Sequence, residues 1–350
     1  MTRAFWRDRR VLLTGHTGFK GAWLALWLDR MGAKVFGLAL PPDTEPALFS
    51  LLQPMHGVHS RLADIRDAEA VAAAVEEARP QIVIHMAAQS LVRRSYRCPA
   101  ETFATNVIGT THLLDCLRSV AGLEAVLVIT TDKVYRNHGN GRAFTENDPL
   151  GGDDPYSASK SAAELVVAGM AASFFRPKGV PVATARAGNV IGGGDWSEDR
   201  LIPDLWRAVR ADEPLRLRNP QSTRPWQHVL EPLSGYLLYA ERMASGTDVP
   251  AALNFGPSPG DVLTVAEVAQ TMLDAMQSSQ CWIAAEGPQP QERHSLAIDP
   301  ALARTAIGWQ PRLPSSKALQ WTAEWYRAVM AGAAPRAVAL DQIERYEALA

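Results

Sequence analysis

Two short segments carry the residues best suited to proton chemistry, Thr131-Asp132-Lys133 and Pro155-Tyr156-Ser157-Ala158-Ser159-Lys160. A tyrosine and a lysine four apart on a helix share a face, so the Lys160 ammonium is expected beside the Tyr156 phenol, favouring its ionised form over an ordinary pKa of roughly 10. A phenolate near neutral pH can take a proton from a sugar hydroxyl. Asp132 and Lys133 add a carboxyl and an amine, groups able to handle protons. Neighbours on a regular strand point to opposite faces, so both can serve one pocket only if the strand has ended before them. Lys133 also needs desolvation or nearby cations such as Lys160, because an ammonium with a pKa of about 10.4 is no base at neutral pH.

The elements that must position these residues read as alternating strands and helices. Arg10 to Thr14 is a short apolar run ending in Gly15-His16-Thr17-Gly18-Phe19-Lys20-Gly21, and Ala22 to Met31 continues as a helix. A second strand, Ala33 to Leu40, stops at Pro41-Pro42. Further strands at Gln81 to Met86, Ala125 to Thr130 and Val180 to Ala185 follow helical stretches such as Asp67 to Ala78 and Ala100 to Val120. This pattern predicts an α/β fold: a doubly wound parallel-sheet Rossmann domain with a smaller α/β substrate-binding lobe. The Rossmann domain is expected over 1–188, with 226–256 returning to it through a helix at Val229 to Met243 and a strand at Ala252 to Phe255. Residues 189–350 supply mainly the second lobe and C-terminal helices, beginning where periodicity weakens and Arg186-Ala187-Gly188-Asn189 leads towards Arg224-Pro225-Trp226.

Gly15-x-x-Gly18-x-x-Gly21 after the first strand follows dinucleotide-binding logic, a tight turn that brings a helix N-terminus to a pyrophosphate. Cofactor contacts are expected from Gly15, His16, Thr17, Gly18, Phe19, Lys20 and Gly21, from Asp64-Ile65 and Ala87-Ala88-Gln89 at later strand ends, and from Asn106, Tyr156 and Lys160. The acidic residue that usually closes the second strand of an NAD site is missing, and Asp43 is the nearest carboxylate. No arginine replaces it, and Lys20 and Arg66 are only distant partners for a 2′-phosphate, so NAD is favoured over NADP.

The chain has 350 residues, 47% hydrophobic and 21% charged, with a formal net charge of −2. Those values suit two lobes and a small-molecule substrate, with no nucleic acid and no membrane as partner. Cys98, Cys116 and Cys281 stand at wide spacings without metal-ligand order, so no metal is expected. A charged start and the lack of a run of membrane-spanning length suggest a cytoplasmic location. The tryptophans at 206, 282, 309, 321 and 325 read as core and lobe packing.

In its glycine triplet, Ala87-Ala88-Gln89, Asn106 and Tyr-x-x-x-Lys, taken in order, the chain resembles the extended short-chain dehydrogenase/reductase family that acts on nucleotide sugars. More narrowly, Gly15 to Leu24, Leu91-Val92-Arg93-Arg94-Ser95-Tyr96, Thr131-Asp132-Lys133, Gly192-Gly193-Gly194-Asp195-Trp196 and Arg224-Pro225-Trp226-Gln227-His228-Val229 resemble the CDP-glucose 4,6-dehydratases of that family, with Val134 and Arg136 where Cys and Glu are more usual. The resemblance implies NAD as cofactor, CDP-glucose as substrate and a homodimer built on the helices around Ala100 to Val120 and Ser157 to Phe174. It also implies an internal redox cycle. Tyr156, with Lys160 and Thr131, takes the proton of the carbon-4 hydroxyl as hydride passes to NAD; Lys133 takes the carbon-5 proton while Asp132 protonates the departing carbon-6 hydroxyl; the hydride returns to carbon 6. Substrate contacts are expected from Ser90, Thr131, Asn189, Arg200, Arg216, Arg218, Arg224, Arg293 and His294, the arginines being suited to a diphosphate. A 4-epimerase would need no acid and base at 132 and 133, and a non-catalytic NAD-binding regulator would need neither Tyr156 nor Lys160.

Overall fold

The computed structural model describes residues 2–139, 141–285 and 296–349. Runs of fully buried residues mark the middle of a seven-stranded parallel sheet: β1 (Arg10–Thr14), β4 (Ile82–His85), β5 (Ala125–Ile129) and β6 (Val182–Ala187). Strands covered on both faces need apolar residues at successive positions, which is why these segments show no alternation. With β2 (Lys34–Ala39), β3 (Val58–Leu62) and β7 (Ala252–Phe255) the order is β7-β6-β5-β4-β1-β2-β3. β1 has β2 on one side, Val11 opposite Val35, and β4 on the other, Val11 opposite Ile82. The direction of winding therefore reverses at β1, the place where open α/β sheets bind ligands beyond their strand ends.

Helix α1 (Phe19–Met31) starts at Gly18 and buries every residue from Gly21 to Leu28. A helix apolar all round must be covered all round, and here the sheet lies on one side and the last helix, Pro335–Glu347, on another, with Trp27 Nε1 donating to Glu347 Oε1 at 2.8 Å. Asp67 caps α2 (Ala68–Ala78), and Asp154 caps α3 (Pro155–Met170) by accepting from the Ser157 amide. Helix α4 (Leu230–Ala244) packs against β4 and β5 before β7 joins the sheet beside β6, Ala252 opposite Thr184.

The stretch expected as one helix from Ala100 to Val120 is broken by a π-helical turn at Ala104–Gly109 between Pro99–Phe103 and Thr110–Leu117. That turn buries Asn106, and Gly109 lies against Ile65 where a Cβ would come within 2.7 Å of the side chain. The second lobe holds three two-stranded pieces, Val190–Ile191 with Gln227–His228, Thr223–Arg224 with Leu263–Thr264, and Leu215–Leu217 with Trp282–Ala284. Trp309, Trp321 and Trp325 are buried in the core, and Trp206 and Trp282 pack against it partly covered.

Candidate active site

A cleft of about 1480 Å³ opens at the carboxyl ends of the strands, between the sheet and the second lobe. Its first wall is the turn after β1. Gly15 has φ +76°, and a Cβ there would stand 2.7 Å from the Ala87 amide nitrogen; one on Gly21 would stand 2.0 Å from the Gly15 carbonyl oxygen. The packing therefore demands glycine at both, while Gly18, at the N-cap of α1, faces the cleft with Thr17, Phe19 and Lys20. Backbone amides at a helix N-terminus beside a surface free of side chains fit a pyrophosphate. Asp64, Ile65, Ala87, Ala88 and Gln89 line the same cleft, as does Asp43.

Two residues expected at the cofactor stand behind the wall instead. His16 turns into the space left by Gly37 on β2, pairs with Ser60 Oγ at 2.7 Å, and is neutral because burial pushes its pKa down to about 4. Asn106 accepts from the Gln89 amide at 2.9 Å and donates to the Gln89 carbonyl and to Ser159 Oγ, so it shapes the loop after β4 and ties it to α3. Arg66 is committed to Asp64, its Nε donating at 2.9 and 3.0 Å. Lys20 points to the other end of the cleft, over the Tyr236 ring, where burial and then Arg200 and Lys160 push its pKa down to about 7 against the pull of Asp132.

The residues expected to handle protons gather at the end of β5. That strand stops at Ile129, and Asp132–Val134 forms a 3₁₀ turn, so Thr131, Asp132 and Lys133 all reach the cleft. The turn is tied to α3 through Ser161 Oγ, which donates to the Val134 carbonyl at 2.9 Å. Asp132 is 1% exposed; its Oδ1 accepts from the Thr131 hydroxyl at 3.0 Å and lies 3.7 Å from Lys133 Nζ. Its Oδ2 is buried with no hydrogen-bond partner.

Tyr156 and Lys160 enter from the first turns of α3, aimed by the Asp154 cap and by Ser95 Oγ, which accepts from the Tyr156 amide at 3.1 Å. Each is held by its own surroundings. Burial pushes the phenol up to about 12, opposed first by the Thr131 hydroxyl. Lys160 Nζ donates to the Ile129 carbonyl at 3.0 Å, and burial lowers its pKa to about 8 against the pull of Glu164. The side chains share a helix face, but the ammonium is turned to the strand end.

Ser90, Asn189, Arg200, Arg216, Arg218 and Arg224 also line the cleft; Arg293 and His294 lie outside the described residues. Arg200 reaches Ser90 Oγ at 3.5 Å and Asp195 Oδ2 at 3.6 Å. Arg218 and Arg93 both donate to Asp199 Oδ1, at 3.2 and 3.3 Å, and Arg97 lies 3.8 Å from its Oδ2. Sequence reasoning gave Arg93, Arg97 and Asp199 no role; the signal was the pair Arg93-Arg94 soon after Ala87-Ala88-Gln89. It also gave none to Glu164 and Arg186, whose buried pair at 2.8 Å underlies the site.

Residues 12–321 match the family described as GDP-mannose 4,6 dehydratase. The chain is 45% identical over 334 residues to a CDP-glucose 4,6-dehydratase of Salmonella typhimurium, covering 94% of this chain and 93% of that one. A Streptomyces venezuelae dTDP-glucose 4,6-dehydratase with NAD bound superposes with a TM-score of 0.77 at 25% identity, over 93% of this chain and 99% of that one. A Thermus thermophilus UDP-glucose 4-epimerase in complex with NAD does so with 0.78 at 25%, over 91% and 98%. On the length of the match and the cleft it encloses, the chain belongs to the GDP-mannose 4,6 dehydratase family of nucleotide-sugar dehydratases.

Proposed function

We propose that the chain acts as an NAD-dependent CDP-glucose 4,6-dehydratase, converting CDP-D-glucose to CDP-4-dehydro-6-deoxy-D-glucose and water. The observation that carries this reading is the 3₁₀ turn after β5, which brings a carboxyl and an amine, Asp132 and Lys133, into one cleft with Tyr156. A 4-epimerase has no use for that pair. The identity with the Salmonella enzyme supports CDP-glucose as the substrate.

NAD would lie along Gly15, Thr17, Gly18, Phe19, Lys20 and Gly21, against Asp64, Ile65 and Ala87 to Gln89, and supplies a hydride acceptor that later returns the hydride. Tyr156 removes the proton of the carbon-4 hydroxyl, with the Thr131 hydroxyl beside the same oxygen. Lys133 takes the carbon-5 proton, which the neighbouring ketone has made acidic. Asp132 protonates the carbon-6 hydroxyl as it leaves. Positioned proton transfers of this kind typically contribute about 10² to 10⁴ each. Ser90, Asn189, Arg200, Arg216, Arg218 and Arg224 hold the nucleotide diphosphate and sugar.

We read 1–188, with 226–256, as the NAD-binding domain and 189–350 as mainly the substrate lobe. Phe103, Ile108 and Leu165 are exposed on the helices around the cleft and support a homodimer through them; a monomer by light scattering would defeat that part. Among the described residues no helix is long and apolar enough to cross a membrane, and we assign the enzyme to the cytoplasm, making a deoxysugar for a bacterial surface polysaccharide such as lipopolysaccharide. The central test incubates the protein with NAD and, separately, CDP-glucose, dTDP-glucose, UDP-glucose and GDP-mannose. Loss of one water from CDP-glucose alone is expected; loss from another sugar overturns the substrate, and isomerisation without mass loss overturns the dehydratase.

A further inference from the structure

The residue directly after β6 is Gly188, with ordinary backbone angles and no turn that calls for glycine. What calls for it is space. A Cβ built there would lie 2.7 Å from Pro225 Cγ, 3.4 Å from the Pro225 carbonyl oxygen and 3.0 Å from Asp132 Oδ2, the buried oxygen without a partner. Neither neighbour can yield cheaply. Pro225 sits in a segment fastened on both sides: Thr223–Arg224 pairs with Leu263–Thr264, Trp226 Nε1 donates to the Leu263 carbonyl, the Trp226 carbonyl accepts from Ser315 Oγ, and Gln227 N donates to the Asn189 carbonyl at 3.1 Å. Asp132 is held by Thr131 and Lys133.

We propose that Gly188 is a positioning residue for Asp132: its missing side chain lets the Pro225 ring and the Asp132 carboxyl crowd the space where a Cβ would stand, so that Oδ2 is left unpaired and dry for the hydroxyl that departs from carbon 6. This rests on the dehydratase reading. A buried carboxyl oxygen without a partner is costly, and a cost kept at a reacting position points to a partner that arrives with the substrate and takes the proton the carboxyl carries. In the step concerned the carbon-5 proton goes to Lys133, the double bond between carbons 5 and 6 forms, the bond from carbon 6 to oxygen breaks, and the Asp132 proton goes to that oxygen, which leaves as water. Pro225 acts by excluding water, which would otherwise pair with Oδ2 and compete with the substrate hydroxyl.

The test compares wild type, Gly188→Ala, Pro225→Ala and the double variant, mixed with NAD and CDP-glucose. The absorbance of the reduced cofactor, the loss of water by mass, and thermal melting without NAD are followed. Displacing a catalytic group by about 1 Å can cost on the order of 10²-fold. Gly188→Ala is therefore expected to slow water loss roughly tenfold to a hundredfold while reduced cofactor still forms and persists. The double variant, with room restored for the new methyl, should recover part of the loss. Pro225→Ala, which introduces no clash, should slow water loss a few-fold in the same sense and decides the matter if Gly188→Ala does not fold. Equal slowing of both steps, unchanged partition in Gly188→Ala or Pro225→Ala, or a double variant no better than Gly188→Ala overturns the inference. Wild type that removes no water from any of the four sugar nucleotides overturns the dehydratase reading and the inference with it; wild type that removes water from one of them, with that sugar used in the test, isolates a failure to Gly188 alone.

Discussion

Two buried carboxylates flank the end of β5 and are treated in opposite ways. Glu164 accepts from Arg186 Nε and Nη2, from Thr184 Oγ1 and from Thr130 Oγ1, at 2.5 to 2.9 Å. Arg186 passes the network on to the Tyr135 hydroxyl, and Tyr135 to Asn254. Asp132 accepts one hydrogen bond, from the adjacent Thr131, and leaves Oδ2 unpaired. Both groups are out of water. A fully satisfied buried network rigidifies its surroundings, whereas an unsatisfied group is a cost kept for a purpose. The difference separates a carboxylate whose partners are all within the fold from one that keeps an oxygen unpaired at the cleft, as the proposed role of Asp132 requires.

Four changes would break or sharpen that contrast. Asp132→Asn is expected to lower dehydration by about 10² to 10⁴ while still passing hydride from carbon 4. The check is product mass against reduced-cofactor absorbance, and unchanged turnover would remove Asp132 from the chemistry. Glu164→Gln strands the Arg186 charge in the core and should cost about 3–5 kcal/mol of stability, measured by denaturant unfolding; a loss of activity without loss of stability would make Glu164 a working group too. Glu231 offers a third case. It is buried in α4, accepts from the Arg312 and Leu313 amides and from the Tyr346 hydroxyl, and burial pushes its pKa up to about 7. The raised value means that folding takes up a proton. Its stabilising contribution is complete below the unfolded value near 4.5 and is lost as pH rises through about 7. Wild type should therefore lose up to about 3 kcal/mol relative to Glu231→Gln across that window. The smallest effect belongs to Asp154, whose carboxylate caps α3 through Ser157 N and Oγ. Asp154→Ala should cost about 1 kcal/mol by thermal melting, with a small slowing of turnover because the cap aims Tyr156.

What was legible in the sequence is what is local. The glycine turn into α1, the apolar central strands, the Tyr156/Lys160 face of α3 and the placing of Asp132 and Lys133 beyond a strand end follow from period, punctuation and spacing within a few residues. β3, four of whose five residues are exposed at the sheet edge, gave no apolar pattern to delimit it. The Glu164–Arg186 pair and the arginines gathered on Asp199 join residues from separate elements, and nothing in a linear reading sets their partners. Spacing places a side chain on a face but does not fix where its end points, so the bond from Lys160 to a backbone carbonyl at the strand end was not legible in the sequence.

The hydrogen bond between Trp27 and Glu347 joins residues 320 apart in the chain. During synthesis at about 5–20 residues per second, the apolar side of α1 that the final helix covers therefore waits on the order of tens of seconds for its partner to be made. The expected cradle for the cofactor opens a helix made early and covered by one made about 300 residues later. A ribosome-bound fragment that already contains every residue of the cleft would still present the Trp27 side of this helix uncovered.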